Sequence, residues 1–129
     1  MSLQNVLPRK LQRRKVPTRF GHVYWMTNTA GEVLVRARPL RGLLAGMTEF
    51  PSSEWQEAGI EFLPPFKGPW KKSSGVVEHT FTHFKLELTV WKLKVRGPKL
   101  DARFVAVDKL KDEALPTVMR KVVAHIEKA

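Results

Sequence analysis

The stretch FKLELTVWKLKV, residues 84–95, lies within the strongest strand signal of the chain, which predicts a strand over Val76–Val95. Up to Val90 the even-numbered residues are apolar and the residues between them are polar, which is the alternation of a half-buried β-strand. From Trp91 onward the odd-numbered residues are apolar instead. Because one extra residue turns every later side chain to the other face of a sheet, this change of phase predicts a β-bulge or bend near Val90–Trp91.

Shorter strand-like segments lie on either side of this stretch. Aromatic and β-branched residues predict a strand over Phe20–Thr27, and alternation predicts another over Glu32–Arg38. The turn residues Asn28–Gly31 between them make the pair a hairpin. Short strands are also predicted at Met47–Phe50 and Arg103–Val107.

Residues 51–75 have no regular pattern. The segment contains four prolines and three glycines, and at most a single helical turn near Ser53–Ala58 fits it. Its large aromatic residues are expected to hold it against the core; they are Trp55, Phe62, Phe66 and Trp70.

Helical signals are confined to the C-terminal part. Asp108 is predicted to cap a short turn that runs to Asp112. Pro116 suits the first position of a helix, and the apolar residues from Val118 to Ile126 recur on one face of it. The fold class predicted from these elements is mixed α+β, with a mostly antiparallel sheet and a C-terminal amphipathic helix.

The composition limits what the chain can do. Its 129 residues are enough for one domain, and the absence of cysteine excludes an iron–sulfur cluster, a thiolate zinc site and a cysteine nucleophile within them. No apolar run approaches the ~18 residues of a membrane span, and the N-terminus does not have the pattern of a signal peptide. We therefore expect an intracellular protein that does not contact a membrane.

The positive charge is concentrated near the N-terminus. The net charge is +11, and residues 1–19 contribute six basic residues and no acidic one: Arg9, Lys10, Arg13, Arg14, Lys15 and Arg19. We interpret residues 1–19 as a basic connector, with Met1 to Leu3 resembling a cloning scar, and residues 20–129 as the domain. A polyanion such as nucleic acid is the expected partner, although a solvated tail would have the same composition.

Three segments, taken in order, resemble one protein family. They are VLVRARPLRGLLAGMTEFP at residues 33–51, HTFTHF at residues 79–84, and VAVDKL at residues 105–110, which continues through Ala114-Leu115-Pro116 into the last helix. Together they resemble the C-terminal domains of bacterial MutY-type adenine DNA glycosylases, with their Gly-Leu-Leu loop, Glu-Phe-Pro motif and Phe-Ser-His loop. Thr82 stands where many members have serine, and Thr48 stands where others have tryptophan.

The resemblance implies a Nudix-like fold related to MutT, with a reduced or absent Nudix helix. It also implies base excision repair, in which a parent enzyme hydrolyses the glycosidic bond of adenine opposite 8-oxoguanine and this domain reads the oxidised guanine. The parent's iron–sulfur cluster and catalytic residues would lie in another domain, so this chain is expected to have neither. The implied partners are that catalytic domain and double-stranded DNA with 8-oxoguanine opposite adenine. We expect a monomer in the bacterial cytoplasm, at the nucleoid.

The candidate lesion-reading residues are Phe81, Thr82 and His83. Oxidation turns N7 of guanine from an acceptor into an N–H donor and adds an acceptor at O8, so a hydroxyl such as that of Thr82 could pair with either. Phe81 could wedge between bases, and His83 could contact a phosphate or orient the loop. On residue type alone, these are also ordinary strand and core residues.

Other polar residues suggest weaker sites. Arg36, Arg38 and Arg41 surround the Gly42 loop and could contact phosphate, as could the basic residues of the connector, although a solvated strand edge explains these arginines as well. A metal site at His79 and His83 is excluded on a strand, because residues four apart are separated by about 13 Å.

Two other functions fit parts of the sequence. A Nudix pyrophosphohydrolase would need an Arg-Glu-x-x-Glu-Glu pattern to hold Mg²⁺, and the corresponding region offers only Glu54, Glu57 and Glu61. A generic basic nucleic-acid-binding or ribosomal protein would explain the charge. Against it, Trp25, Phe84 and Trp91 lie in alternating patterns that predict burial, whereas a stacking platform needs exposed aromatic residues.

Overall fold

A computed structural model describes residues 16–96 and 103–128, and these form seven strands, a 3₁₀ helix and an α-helix. The strands are β1 (Thr18–Thr27), β2 (Glu32–Ala37), β3 (Thr48–Glu49), β4 (Lys71–Lys72), β5 (Val77–Thr80), β6 (Lys85–Lys94) and β7 (Arg103–Ala106). The 3₁₀ helix spans Val107–Asp112, and the α-helix, α1, spans Thr117–Lys128. The strands predicted at Phe20–Thr27, Glu32–Arg38, Met47–Phe50 and Arg103–Val107 are thus confirmed to within two residues at each end, as is the C-terminal helix. The single strand predicted over Val76–Val95 is wrong, because a turn at residues 81–84 divides it into β5 and β6.

The centre of the sheet is a parallel pair, β1 and β6, in register from Thr18 opposite Lys85 to Thr27 opposite Lys94. The other pairings between the described strands are antiparallel: β1 with β2, β2 with β3 and β7, and β6 with β4 and β5. The prediction of a mixed, mostly antiparallel sheet is therefore confirmed. β1 begins at Thr18, inside the segment interpreted as connector, whereas the rest of that segment up to residue 15 lies outside the described residues.

The predicted bulge in β6 is wrong. The pairing of β6 with β1 runs through Val90 and Trp91 without interruption. Leu86, Leu88 and Val90 belong to one core cluster, and Leu93 belongs to a second. The apolar pattern changes phase because both faces of the sheet are covered, each over a different part of the strand.

The two core clusters lie on opposite faces of the sheet. The larger contains Val23, Trp25, Phe50 and the apolar side of α1, including the fully buried Met119 and Val122. The smaller is formed by Tyr24, Met26, Leu34 and Leu93, against which Phe62, Phe66 and Trp70 pack. As predicted, the aromatic residues of the irregular segment hold it against the core.

The helical turn predicted near Ser53–Ala58 does not form. Residues 51–56 instead lie extended beside β1, where the Phe20 and Gln56 backbones exchange hydrogen bonds of 2.8 and 3.0 Å and Ser53 N donates to His22 O. Free backbone groups along β1 outweigh the weak local helix signal in this segment, which Gly59 follows.

The predicted cap at Asp108 is also wrong. The 3₁₀ helix begins one residue earlier, Ala106 occupies the cap position, and no side chain caps it. Thr48, the position at which the family has tryptophan, is bound by hydrogen bonds instead of aromatic packing. Its backbone N–H donates to Ala114 O at 3.0 Å and its hydroxyl to Glu113 Oε1 at 3.3 Å.

Within the described residues, no helix is long and apolar enough to cross a bilayer.

Candidate nucleic-acid interface

The predicted lesion-reading residues form the tip of the β5–β6 hairpin. The last paired residues before the turn are Thr80 and Lys85, and Phe81 N donates to Phe84 O at 2.8 Å. Thr82 and His83 stand at the apex, and both are exposed. We call residues 81–84 the reading tip. A polar group at its apex can reach a partner molecule without unfolding the strands that carry it.

Phe81 lies beneath the apex and is half-buried. Its ring centroid is 4.8 Å from that of Phe84, 4.7 Å from that of His79 and 5.9 Å from that of Trp55, on which it stacks. The geometry therefore makes Phe81 the support of the reading tip. Acting as a wedge between bases would require it to leave this packing.

Two arginines lie against the aromatic support. The guanidinium of Arg19 is 4.2 Å from the ring centroid of Phe84, and that of Arg38 is 5.0 Å from the ring centroid of Trp55. Both distances are within the range of a cation–π contact. The arginines bring positive charge to the side of the reading tip while their stems extend the apolar packing.

Arg38 and Arg36 are fixed by one buried carboxylate. Glu49 is 3% exposed; its Oε1 lies 2.9 Å from Arg38 Nη1, and its Oε2 lies 2.9 Å from Arg36 Nε. The arginine-bearing strand and the Glu-Phe-Pro motif, recognised separately in the sequence, thus form one ion-pair network. Arg36 and Arg38 are neither a solvated strand edge nor wholly free for phosphate, whereas Arg41 is exposed in the loop after β2.

A cleft of about 260 Å³ opens beside the reading tip. It is lined by Arg19, Arg38, Leu43, Ser53, Glu54 and Trp55. With two guanidinium groups and one carboxylate, its lining is net positive. The cleft therefore presents an indole ring and positive charge next to the exposed Thr82 and His83.

Burial determines the protonation of His79, the histidine under the tip. Its pKa is lowered from its ordinary value, first because burial disfavours the charged ring and second because of the nearby positive charge of Lys121. Its Nδ1 atom is buried and has no hydrogen-bond partner among the described residues. Burial thus favours the neutral form of His79 beneath the tip, and His83, exposed at the apex, is the histidine available to a partner.

The sequence prediction named Thr82 and His83, which lie at the apex, but it did not include the residues that surround them. From the sequence, Trp55 is predicted only to hold a loop, Arg19 belongs to the connector, and Glu49 is part of a motif to which no role is assigned. The cation–aromatic and ion-pair contacts join segments far apart in sequence, for which a single sequence carries no signal. The connector residues Arg9, Lys10, Arg13, Arg14 and Lys15 lie outside the described residues.

The acidic residues considered for hydrolysis do not form a cluster. Glu54, Glu57 and Glu61 lie on the extended and irregular segment after Pro51, and all three are exposed. Among residues 16–96 and 103–128, no three histidine or carboxylate side chains are placed to hold a metal ion. Of the three aromatic residues predicted to be buried, Trp25 and Phe84 are in the core, whereas Trp91 is only half-buried.

Comparison with known proteins agrees with this geometry. The family model of the NUDIX domain matches residues 22–125. The adenine DNA glycosylase of Homo sapiens is 32% identical over 70% of the chain, and that of Rattus norvegicus is 30% identical over 70% of the chain. The chain spans about a fifth of the length of these relatives: 20% of the human protein and 21% of the rat protein.

Solved structures share the fold. The C-terminal domain of mouse MUTYH, determined in complex with human PCNA, aligns over 89% of both chains with a TM-score of 0.63 and 24% identity. The MutT protein of Methanosarcina mazei Go1 aligns over 89% of this chain and 96% of its own, with a TM-score of 0.67 and 16% identity. The sheet, the C-terminal helix and the matched segments together show that the chain belongs to the NUDIX domain family, as a Nudix-like domain of the MutY C-terminal type.

Proposed function

We propose that the chain is the 8-oxoguanine-recognition domain of an adenine DNA glycosylase that acts in base excision repair. The observation that carries the proposal is the exposed apex of the reading tip, with Thr82 and His83 on an aromatic support flanked by two arginines. Two relatives named adenine DNA glycosylase support the repair context. Double-stranded DNA with 8-oxoguanine opposite adenine is the proposed partner.

Thr82 is proposed to read the lesion through its hydroxyl. The oxidised base differs from guanine by an N–H at position 7 and a carbonyl at position 8, and one hydroxyl can accept from the first or donate to the second. Guanine offers an acceptor at N7 and nothing at position 8. A hydroxyl that accepts from the N7 hydrogen thus favours the damaged base by an interaction that guanine cannot make.

His83 and the neighbouring arginines are proposed to hold the DNA backbone. Arg41 and the connector residues Arg9, Lys10, Arg13, Arg14 and Lys15 would add phosphate contacts, and the unpaired part of Arg38 could do the same. Such contacts position a duplex without reading its sequence. Discrimination would then rest on Thr82, and affinity on the positive charge.

The chemistry of base removal is proposed to lie outside this chain. A parent enzyme would extrude the adenine and hydrolyse its glycosidic bond, because that bond is out of reach in a stacked duplex. The family's iron–sulfur cluster would also be held there, since the chain has no cysteine to ligate it. The parent enzyme would act as a monomer at the nucleoid of a bacterial cytoplasm. Its catalytic domain and this domain would contact opposite strands of the DNA.

The test replaces the hydroxyl in the enzyme that carries this domain. Thr82→Ala should reduce the ratio of adenine excision rates opposite 8-oxoguanine and opposite guanine, by the equivalent of about 1–3 kcal/mol for the removal of one base-specific hydrogen bond. Single-turnover excision on the two duplexes measures the ratio. Thr82→Ser should retain it, because the hydroxyl remains.

Thr29→Ala is the matched control, because Thr29 is exposed in the turn of the other hairpin, between β1 and β2. It should leave the ratio unchanged. An equal loss on both duplexes in Thr82→Ala would contradict a reading role and leave Thr82 as a general contact.

A further inference from the structure

A second positively charged feature lies at the far end of β6 from the reading tip. A cleft of about 420 Å³ is lined there by Trp25, Thr27, Pro69, Lys71, Lys92, Leu93 and Lys94. We call it the lysine cleft. Seven residues of strand separate Lys85, next to the reading tip, from Lys92, which corresponds to roughly 23 Å. The lysine cleft is therefore a separate site.

The strand register places the three ammonium groups on one face of the sheet. Lys71 on β4 is directly opposite Lys92 on β6, and Lys94 is two residues further along β6 on the same side. On the other side of β6, Trp25 of β1 is the register partner of Lys92, and it also lines the cleft. Like charges directly opposite one another across a strand pair are destabilising.

Nothing in the described part of the chain neutralises this charge. No acidic residue lines the cleft, and none of the three lysines forms an ion pair within residues 16–96 and 103–128. By contrast, Lys85 near the reading tip lies 3.8 Å from Glu78, and Arg36 and Arg38 share Glu49. An arrangement that costs stability and has no internal counterion indicates an anionic ligand.

We propose that the lysine cleft binds the phosphodiester backbone of nucleic acid without regard to sequence. A strand of duplex DNA presents a phosphate every ~3.4 Å along the axis, so three long and flexible lysines within one strand pair can each reach one. Lysine acts on phosphate as a point charge and needs no fixed orientation. The other lining residues are mainly apolar and offer little to read a base edge, which favours the backbone over a free nucleotide.

This inference is independent of the lesion-reading role proposed for Thr82. Backbone contacts displace condensed counterions and therefore appear in the salt dependence of binding, whereas a base contact appears in the preference between two bases. The salt dependence of binding therefore tests the lysine cleft, and the preference for 8-oxoguanine over guanine tests Thr82.

The experiment measures the affinity of the 129-residue chain for a short undamaged duplex over a series of potassium chloride concentrations. A variant carrying Lys71→Gln, Lys92→Gln and Lys94→Gln should bind more weakly at low salt. Its plot of log K against log salt should be shallower by about 0.9 for each phosphate that the variant no longer neutralises. The preference of the parent enzyme for 8-oxoguanine over guanine should stay unchanged.

The matched control is Lys72→Gln, the neighbour of Lys71 on β4. Lys72 is opposite Trp91 and therefore points to the other face of the sheet. Its replacement should leave the salt dependence unchanged. The proposal is overturned if the triple variant has the same salt slope as the original chain. It is also overturned if Lys72→Gln reduces the slope by as much as each lysine of the triple variant does. The binding of the triple variant to polyglutamate is measured as well. If the triple variant binds polyglutamate more weakly than the original chain does, while its binding to the duplex is unchanged, the proposal is overturned and the ligand is an acidic peptide.

Discussion

Glu49 connects the core of the domain to the reading tip. It is buried, it contacts the guanidinium groups of Arg36 and Arg38, and Arg38 in turn lies over the ring of Trp55. Trp55 stacks on Phe81, the residue beneath the apex. The carboxylate of Glu49 thus fixes the position of Arg38, which lies against Trp55 beside the reading tip.

Replacing this carboxylate by its amide should destabilise the domain. In Glu49→Gln two neighbouring guanidinium groups lose their counterion, and breaking a partly buried charged hydrogen-bond network costs about 1–3 kcal/mol. Urea unfolding at neutral pH measures the decrease in the free energy of unfolding. Glu57→Gln, at an exposed position, should stay within about 0.5 kcal/mol of the original protein. Equal stability of Glu49→Gln and Glu57→Gln would show that the network contributes nothing.

At this scale the sequence identified the motifs but not their contacts. The Glu-Phe-Pro motif and the arginine strand were recognised by resemblance, and the structure shows that Phe50 is a core residue while Glu49 binds the arginines. The prediction that Trp55 packs against the core is confirmed, but its contact with Phe81 joins segments 26 residues apart. Local patterns cannot show which distant segments meet.

Among the elements, the β5–β6 hairpin has a built-in dependence on pH. Burial and the charge of Lys121 lower the pKa of His79 in the folded hairpin, whereas the pKa of a histidine in the unfolded chain is about 6.5. Between these two values the unfolded chain binds a proton that the folded chain does not. The contribution of His79 to stability is therefore complete above about pH 6.5 and decreases as the pH falls through that value toward the folded pKa.

His79→Gln should flatten this dependence. The free energy of unfolding, measured by urea titration on both sides of about pH 6.5, should decrease less on acidification in the variant than in the original chain. His83→Gln removes the exposed histidine of the same hairpin and should keep the original decrease. If His79→Gln loses as much stability as the original chain, another group causes the acid sensitivity.

The secondary structure is predicted correctly where an element has one apolar face. It is predicted wrongly where burial on both faces, or hydrogen bonds to a distant strand, determine the structure. Alternation located β2 and the start of β6, and helical periodicity located α1. The bulge near Val90–Trp91 was inferred from a change of phase that arises from apolar cover on both faces of β6. The helical turn near Ser53–Ala58 was overridden by hydrogen bonds to β1, and no local propensity reveals such a partner.

At the scale of the whole molecule, the contacts proposed with the DNA backbone involve three groups of basic residues: those of the connector, those beside the reading tip and those of the lysine cleft. The connector holds five basic residues between positions 9 and 15 and no acidic one. Since these residues lie outside the described part of the chain, their role stays a prediction from composition.

Deleting residues 7–15 should weaken binding to duplex DNA and flatten its salt dependence by up to about 0.9 for each basic residue that contacts phosphate. Affinity measured over a range of salt concentrations tests this. A variant with Arg9, Lys10, Arg13, Arg14 and Lys15 replaced by glutamine keeps the length of the arm and should behave like the deletion. If the salt slope is unchanged in both the deletion and the glutamine variant, the connector is only a spacer.

The parallel pairing of β1 with β6 has a consequence for the order in which the chain acquires its structure. During synthesis β1 leaves the ribosome long before Lys85–Lys94, the strand that flanks it along its whole length, has been made. Meanwhile the apolar run Val23–Met26 has no such neighbour and is exposed to association with other nascent chains. The arginines and lysines that precede it are suited to act as gatekeepers, because like charges repel neighbouring copies until the centre of the sheet can close.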